Sequence, residues 1–229
     1  MVAVSSSRRG LAVVAWLVAS CLPAVGLAAS PPAPPPCPET APVLYAPCAA
    51  CHGESGAGNV ALASPALAGL TEGQVLRQLR QFASGARGAH PADSNGAQMA
   101  AMAKTLPDDT ARKAVACHVS RLPALVSATA PPLQLSGGRA AEGARHFGFC
   151  AGCHGADGRG SVAVGAPSLL FQSDAYLLRQ LQGFQAGWRG HDVNDEPGTQ
   201  MANAASWVQD DQARRDLLAY LGTLRPAAP

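Results

Sequence analysis

The chain has 229 residues, of which 5% are aromatic and 14% charged, and its 17 basic side chains nearly balance 15 acidic ones. This length suits one large domain or two small ones, and small domains are short of buried apolar surface. The near-neutral charge excludes a bulk electrostatic attraction to nucleic acid or to an anionic membrane.

Residues 1–29 are predicted to be a secretory signal peptide. Arg8 and Arg9 give a positive start, an apolar run follows from Leu11 to Leu22, and small residues near Ala28 favour cleavage. The apolar run is too short to be a good membrane span. Cleavage would leave 15 basic and 15 acidic side chains, so any docking to a partner must use local patches.

Two alternative interpretations of this segment remain open. The paired arginines also resemble a twin-arginine export signal. The sequence Val18-Ala19-Ser20-Cys21 resembles a lipoprotein cleavage box, in which case a lipid on Cys21 would tether the protein to a membrane. Otherwise Cys21 is a small apolar residue within a discarded signal peptide.

The rest of the chain is predicted to form two domains. Residues 30–38 are rich in proline and indicate an extended tether without packed structure. A first domain then covers residues 39–127, a linker 128–135 and a second domain 136–229. The two domains are repeats at a fixed offset of 102 residues, which indicates an internal duplication.

Each repeat carries one Cys-x-x-Cys-His motif. The first is Cys48 and Cys51 followed by His52, and the second is Cys150 and Cys153 followed by His154. Two thiols one helical turn apart can form thioethers with the two vinyl groups of a haem, and the following histidine can bind the iron. The sequence therefore predicts two covalently attached c-type haems.

The helical pattern also repeats, and no alternating strand pattern is present, so the predicted fold class is all-α. A helix is expected to lead into each motif, from about Pro42 and from about Gly138. Apolar residues three apart predict a middle helix that begins near Thr71 in the first repeat and near Ser173 in the second. A last helix is expected to start near Asp108-Asp109 and near Asp210-Asp211, and the glycine-rich segments before Met99 and Met201 are expected to be loops.

The ligand on the other side of each iron is predicted to be methionine. Met99 and Met201 each lie 47 residues after the histidine of their motif. A thioether is a soft ligand, and His/Met ligation leaves no open position on the iron, so the chemistry would be outer-sphere electron transfer. Met102 is the alternative in the first repeat, and a core-filling role is the alternative for both methionines.

The remaining histidines and cysteines have no matched partner in the other repeat. His90, His118, His146 and His191 are interpreted as surface or loop residues. Cys117-His118 looks like an incomplete motif but lies in the predicted last helix, so a third haem is rejected. Cys37 and Cys117 either form a disulfide, as an oxidising compartment would allow, or stay unpaired.

Two pairs of matched arginines remain. Arg87 and Arg189 precede the two methionines, and Arg77 and Arg179 lie on the middle helices. Arginine makes bidentate contacts with carboxylates, so haem propionates are candidate partners. The alternative for both pairs is an ordinary solvated charge.

Together these residues resemble the cytochrome c4 family. The resemblance rests on the two Cys-x-x-Cys-His-Gly motifs, a Pro-x-Leu step, a Gln-Leu-x-x-Phe-x-x-Gly-x-Arg stretch and the Gln-Met pairs, over residues 40 to 225. It implies two all-α domains whose haems approach through their propionate edges. It also implies a periplasmic carrier, not an enzyme, that passes electrons from a quinol-oxidising complex or a dehydrogenase to a terminal oxidase.

Two other functions remain open at this stage. One is an enzyme or cytochrome subunit, for example in thiosulfate or alcohol oxidation, with one exchangeable axial ligand. The other is a sensing module in which a small ligand displaces one methionine.

Overall fold

A computed structural model describes residues 34–123 and 137–225. The predicted signal peptide, including Cys21, and the predicted linker lie outside these residues. Below, the first repeat means residues 39–123 and the second repeat means residues 137–225. Both repeats belong to one compact unit that begins at Pro36.

Each repeat contains four helices, and the predicted all-α fold is confirmed. The first repeat has α1 (Ala41–His52), α2 (Glu72–Ser84), α3 (Ser94–Lys104) and α4 (Asp109–Ser120). The second has α5 (Ala140–His154), α6 (Asp174–Gln185), α7 (Glu196–Ala205) and α8 (Asp211–Leu224). The described residues contain no strand beyond two isolated bridges, Asn59 with Ser64 and Ser161 with Ala166, which are themselves matched.

Side-chain caps explain why the middle and last helices start where the sequence predicts. Thr71 accepts from the Gln74 amide in a reciprocal capping box at α2, and Ser173 caps α6. Asp108 and Asp210 accept from the third residue of α4 and α8. Their carboxylates also suit the positive end of a helix dipole.

The expectation of loops up to the two methionines is wrong in part. Residues 85–93 and 187–195 are irregular, but Met99 and Met201 lie inside α3 and α7. Asp93 starts α3 by accepting from the Gly96 amide, and Asp195 does the same for α7 with Gly198. The preceding irregular segment packs closely on α3 at Gly88, because a Cβ on Gly88 would lie 2.2 Å from the Gly96 carbonyl oxygen.

Each repeat has its own apolar core, and the two cores use matched positions. The first contains Tyr45, Leu79, Phe82, Val115 and Val119. The second contains Phe147, Leu181, Phe184, Leu217 and Leu221, each 102 residues further along the chain. Burying one such side chain contributes about 1.5–3 kcal/mol, so these matched sets hold three helices of each repeat together.

The end of the predicted tether is fastened to the first repeat. Cys37 forms a disulfide with Cys117 of α4, which answers the open question about these two cysteines. The expectation that residues 30–38 lack packed structure is therefore wrong at Cys37. Across the part of the chain that the structure describes, no helix has both the length and the apolar character needed to cross a bilayer.

Candidate haem sites

The two Cys-x-x-Cys-His motifs form the last turns of α1 and α5. Each helix ends at the motif histidine, because the next residue, Gly53 or Gly155, has a positive φ of 79° or 78°. Cys48 and Cys150 are half-buried and Cys51 and Cys153 are exposed, and none of the four forms a disulfide. Both thiols of each motif are thus available for thioether bonds on one helical turn.

The two motif histidines are buried and held by matched hydrogen bonds. His52 is 7% exposed and His154 is 6% exposed. The Nδ1 of His52 lies 2.9 Å from the Pro65 carbonyl oxygen, and the Nδ1 of His154 lies 2.9 Å from that of Pro167. A carbonyl can only accept, so Nδ1 carries the proton and Nε2 is the nitrogen available to a metal.

Burial also fixes the charge state that a metal ligand needs. Loss of solvation lowers the pKa of His52 and of His154, although the hydrogen bond to the proline carbonyl acts in the opposite direction. A neutral imidazole is the form that binds iron. The glycine loops add support, because the Gly58 amide donates to the His52 carbonyl and Gly160 does the same for His154.

Each predicted distal methionine packs on the same apolar cluster as the first cysteine of its motif. Met99 and Cys48 both contact the first core, and Met201 and Cys150 both contact the second. Met102 is 38% exposed and is not among the side chains packed against the first core. The cysteines and the buried histidine of each motif therefore fit one c-type haem, and Met99 and Met201, which pack against the same cores, stay predicted ligands.

The remaining candidates do not assemble a third site. Cys117 is occupied by its disulfide with Cys37, so the incomplete motif at Cys117-His118 cannot attach a haem. His90 and His191 are exposed, as predicted for surface residues. His118 and His146 are half-buried on helices α4 and α5, and the His118 ring lies 4.9 Å from that of Tyr45.

A pseudo-symmetric set of hydrogen bonds joins the two repeats. Arg77 donates to the Gly165 carbonyl at 3.1 Å, and its counterpart Arg179 donates to the Ala63 carbonyl at 2.7 Å. Ala63 and Gly165 occupy matched positions in the sequence. The Gln172 amide adds two bonds to the backbone of Ala66, one donated and one accepted. We call this surface the seam.

The seam also contains two arginines that each bridge both repeats. Arg87 donates to Gln78 of its own repeat and to Gln180 of the other at 2.7 Å. Arg189 donates to Gln180 of its own repeat at 2.7 Å and to Gln78 of the other at 3.1 Å. The guanidinium groups of Arg87 and Arg189 each lie 4.4 Å from a ring centroid, that of Phe82 or Phe184.

Sequence reasoning found the motif residues but missed the residues that orient them. Pro65 and Pro167 were recognised only as matched positions, not as acceptors for the histidines. Gln78 and Gln180 were likewise part of a matched stretch with no assigned role. Their exact repetition was the available signal, whereas Gln172 has Leu70 as its counterpart and could not have been found in this way.

Comparisons with known proteins agree with this geometry. The family model for cytochrome c matches residues 39–122 and 140–225. The chain is 39% identical over 164 residues to the thiosulfate dehydrogenase electron acceptor of Thiomonas intermedia, covering 66% of this chain and 69% of that protein. It is 31% identical over 153 residues to cytochrome c4 of Azotobacter vinelandii, covering 63% and 70%.

Solved structures show the same arrangement. Reduced cytochrome c4 from Pseudomonas stutzeri matches with a TM-score of 0.61 and 26% identity, over 80% of this chain and 96% of that chain. A thiosulfate dehydrogenase from Marichromatium purpuratum matches with a TM-score of 0.60 and 32% identity. That match covers 78% of this chain but only 36% of the solved chain.

The fold and the paired sites define a two-haem electron-transfer protein. The chain belongs to the cytochrome c family and contains two tandem domains of that family, in the arrangement of cytochrome c4. Its cofactors are two covalently attached c-type haems, one for each motif.

Proposed function

We propose that this protein is a periplasmic carrier that takes electrons from a thiosulfate dehydrogenase and passes them singly to a terminal oxidase. The observation that carries the proposal is the duplication, within one chain, of a Cys-x-x-Cys-His motif with a buried and hydrogen-bonded histidine. Relatives from Thiomonas intermedia and Stutzerimonas stutzeri, 39% and 34% identical, are described as thiosulfate dehydrogenase electron acceptors. Two haems would hold the two electrons released when two thiosulfate ions join.

The proposed roles at each iron are supported by the motif spacing, the buried histidines and the matched methionine positions. Cys48, Cys51, Cys150 and Cys153 form the thioethers, and His52 and His154 bind through Nε2. Met99 and Met201 would bind the iron through sulfur, which would raise the haem potential. With histidine and methionine both bound, the chain's residues would hold the iron and exclude water, so that only electrons would enter or leave.

Export to the periplasm is part of the proposal. The Cys37–Cys117 disulfide indicates an oxidising compartment. The Cys-x-x-Cys-His motifs agree, because c-type haem is attached outside the cytoplasm. If Cys21 proves to be lipidated, the carrier would be tethered to a membrane surface.

The donor is tested by anaerobic stopped-flow mixing of the oxidised carrier with a thiosulfate dehydrogenase and thiosulfate. We expect full reduction of both haems with the dehydrogenase and very slow reduction by thiosulfate alone. Ascorbate serves as the control for redox competence. If ascorbate reduces both haems but the dehydrogenase gives no faster reduction than thiosulfate alone, the proposed donor is wrong.

A quinol-oxidising complex is the second candidate donor, and the similarity to cytochrome c4 favours it. The same mixing experiment with a quinol-oxidising complex and a quinol separates the two donors. The faster donor at equal concentrations is the better assignment. A terminal oxidase placed downstream then tests the acceptor.

Carbon monoxide distinguishes a carrier from an enzyme. Two six-coordinate irons should give no spectral change when carbon monoxide is added to the reduced protein. A shift at either haem would indicate an exchangeable ligand and would support a catalytic or sensing role.

A further inference from the structure

A surface cleft of the first repeat differs in two ways from the same place in the second repeat. The cleft has a volume of about 410 Å³ and is lined by residues of α2 and α4, namely Arg80, Ala83, Ser84, Asp109 and Arg112. The matched positions, 102 residues further along the chain, are Gln182, Gln185, Ala186, Asp211 and Arg214. The differences at Ala83 and at Arg80 decide what the cleft can bind.

In the second repeat a glutamine side chain fills this place. The amide nitrogen of Gln185 donates to the Ala205 carbonyl at 2.8 Å and to the Val208 carbonyl, at and just after the end of α7. The amide oxygen of Gln185 accepts from Arg214 at 2.7 Å. One side chain thus ties α6 to α7 and gives Arg214 an oxygen acceptor.

In the first repeat the arginine of the cleft lacks this acceptor. The position matched to Gln185 is Ala83, whose side chain has no polar atom. In the described part of the chain, the Arg112 side chain makes one hydrogen bond, to the Leu106 carbonyl at 3.3 Å, and its Nε is buried without a partner. A buried donor without a partner is costly, and native proteins generally supply one. The missing partner is an acceptor in the space that Gln185 fills in the other repeat.

The aspartate that pairs with this arginine in the second repeat pairs with a different arginine in the first. Asp211 accepts from Arg214 at 2.9 Å. Its counterpart Asp109 accepts from Nε and Nη2 of Arg80 instead, at 2.7 Å and 2.6 Å. These hydrogen bonds hold the pKa of the Asp109 carboxyl well below its usual range, so it stays charged and bound to Arg80. Gln182 occupies the place of Arg80 in the second repeat, and a neutral amide does not compete for Asp211.

The charges around the cleft favour an anion as the missing acceptor. Three basic side chains stand there against two acidic ones, Arg80, Arg112 and Lys113 against Asp108 and Asp109. Among the described residues, Arg112 takes part in no ion pair. The guanidinium fork of arginine matches the paired oxygens of an oxyanion in geometry and charge.

We propose that this cleft binds one small oxyanion of the sulfate, thiosulfate or phosphate type, with Arg112 as its main ligand. An oxygen of the anion takes the place that the Gln185 amide oxygen has in the second repeat. Because Arg112 also donates to the Leu106 carbonyl, between α3 and α4, the bound anion stabilises this junction in the first repeat alone. The site does not depend on the identity of the electron donor, because no residue of the cleft is a proposed haem or iron ligand.

Equilibrium dialysis of the purified two-haem protein against labelled sulfate counts the sites, with the ionic strength held constant by sodium chloride. We expect one sulfate per wild-type chain and about tenfold weaker binding by Arg112→Gln, which loses a charged hydrogen-bond donor. Arg145→Gln is the matched control, because Arg145 is an exposed arginine of the second repeat that is paired with Glu142. It should bind sulfate as the wild type does. No binding by the wild type, or equal binding by Arg112→Gln, would overturn the site.

Filling the cleft from within the chain is a second, independent test. Ala83→Gln copies the second repeat and should give Arg112 its acceptor, so this variant should bind no sulfate. Sulfate stabilises folded proteins in general through its exclusion from their surface, and a bound ion adds to this. Sulfate should therefore raise the Tm of the wild type more than that of Ala83→Gln. An equal rise in both proteins would show the general effect alone and would contradict the site.

The reverse change should create a second site. Gln182→Arg combined with Gln185→Ala gives the second repeat both features of the first, an arginine that engages Asp211 and an open space beside Arg214. We expect this double variant to bind two sulfates per chain. If it folds with unchanged haem content and still binds only one, these two differences do not make the site and the proposal is wrong.

Discussion

The two repeats fasten their first helix to their last helix in different ways. Cys37 lies four residues before the start of α1, and Arg139, at the matched position 102 residues later, directly precedes α5. Cys37 joins the last helix of its repeat through a disulfide to Cys117. Arg139 joins the last helix of its repeat through an ion pair of 2.7 Å to Asp216, which is fully buried. A covalent bond in one repeat thus does what a charge pair does in the other.

The helices beside these two links differ as well. α5 has 15 residues and packs closely on α8, since a Cβ on Gly143 would lie 1.9 Å from the Asp216 carbonyl oxygen. α1 has 12 residues, and its matched position is Ala41. The haem-binding residues are the same in both repeats while the supporting contacts differ. Duplication has therefore kept the site and has allowed the means of holding the helices to change.

Removing a proposed distal ligand should change the protein most. Met99→Ala and Met201→Ala should each lower the potential of one haem by tenths of a volt, within the ~0.8 V range that axial ligands span. Each variant should also bind carbon monoxide at one haem only. Redox titration and the reduced spectrum check this, with Met102→Ala as the control that should change neither. Carbon monoxide binding by Met102→Ala would contradict the assignment of Met99.

Loss of the disulfide should have the next strongest effect, and only on the first repeat. Replacing both Cys37 and Cys117 by serine removes a link across a sequence separation of 80 residues. We expect the free energy of unfolding of the first repeat to fall by about 2–4 kcal/mol, because the unfolded chain gains freedom. Denaturant titration followed at each haem is the measurement. Equal loss in both repeats would show that they unfold as one unit.

The matching change in the second repeat is Asp216→Asn. Arg139 holds the pKa of the Asp216 carboxyl well below its usual range, with help from the Arg139 backbone and Gln212. The charged carboxylate therefore stabilises the fold above the unfolded pKa of about 3.9, and this is lost as the pH falls toward the lower folded value.

We expect Asp216→Asn to lower the Tm of the second repeat by several degrees at pH 7. The difference from wild type should persist down to about pH 5 and shrink below about pH 4. If the Tm difference between the wild type and Asp216→Asn does not change with pH, the loss of stability comes from altered packing and not from the lost charge. Lys113→Gln, at an exposed surface pair in the first repeat, is the control and should change little.

The weakest effect should be that of Tyr45→Phe, which makes the first repeat like the second. The buried Tyr45 hydroxyl donates to the Gly53 carbonyl at 2.8 Å, and Phe147 occupies the matched place in the second core. Losing this bond should cost the first repeat about 1 kcal/mol. Thermal unfolding would show the change, and an unchanged or raised Tm would contradict it.

Much of the fold could be predicted because the decisive interactions are local. The Cys-x-x-Cys-His spacing, the caps at Thr71 and Ser173, and the acidic starts of α4 and α8 depend on residues within one turn. Because the sequence is duplicated, each of these features occurs twice, and each copy supports the interpretation of the other. Of the proposed site residues, the methionines were predicted from equal spacing alone, and their ligation of iron stays a prediction.

What could not be predicted depends on distances across the fold. Gly96 and Gly198 look like loop residues, but they lie in the first turns of α3 and α7, where the missing Cβ leaves room for the capping carboxylates of Asp93 and Asp195. The Cys37–Cys117 pairing was left open because sequence does not show whether two thiols meet. The seam was invisible for the same reason, since Gln78 and Arg189 are 111 residues apart.

The proposed function requires two haems in one chain, each with its iron bound by histidine and methionine. Intact mass of the exported protein, combined with the oxidised spectrum, tests this requirement directly. We expect two haems per chain and a long-wavelength sulfur–iron band with the intensity of two methionine-ligated irons. One haem per chain, or a band of half that intensity, would contradict it.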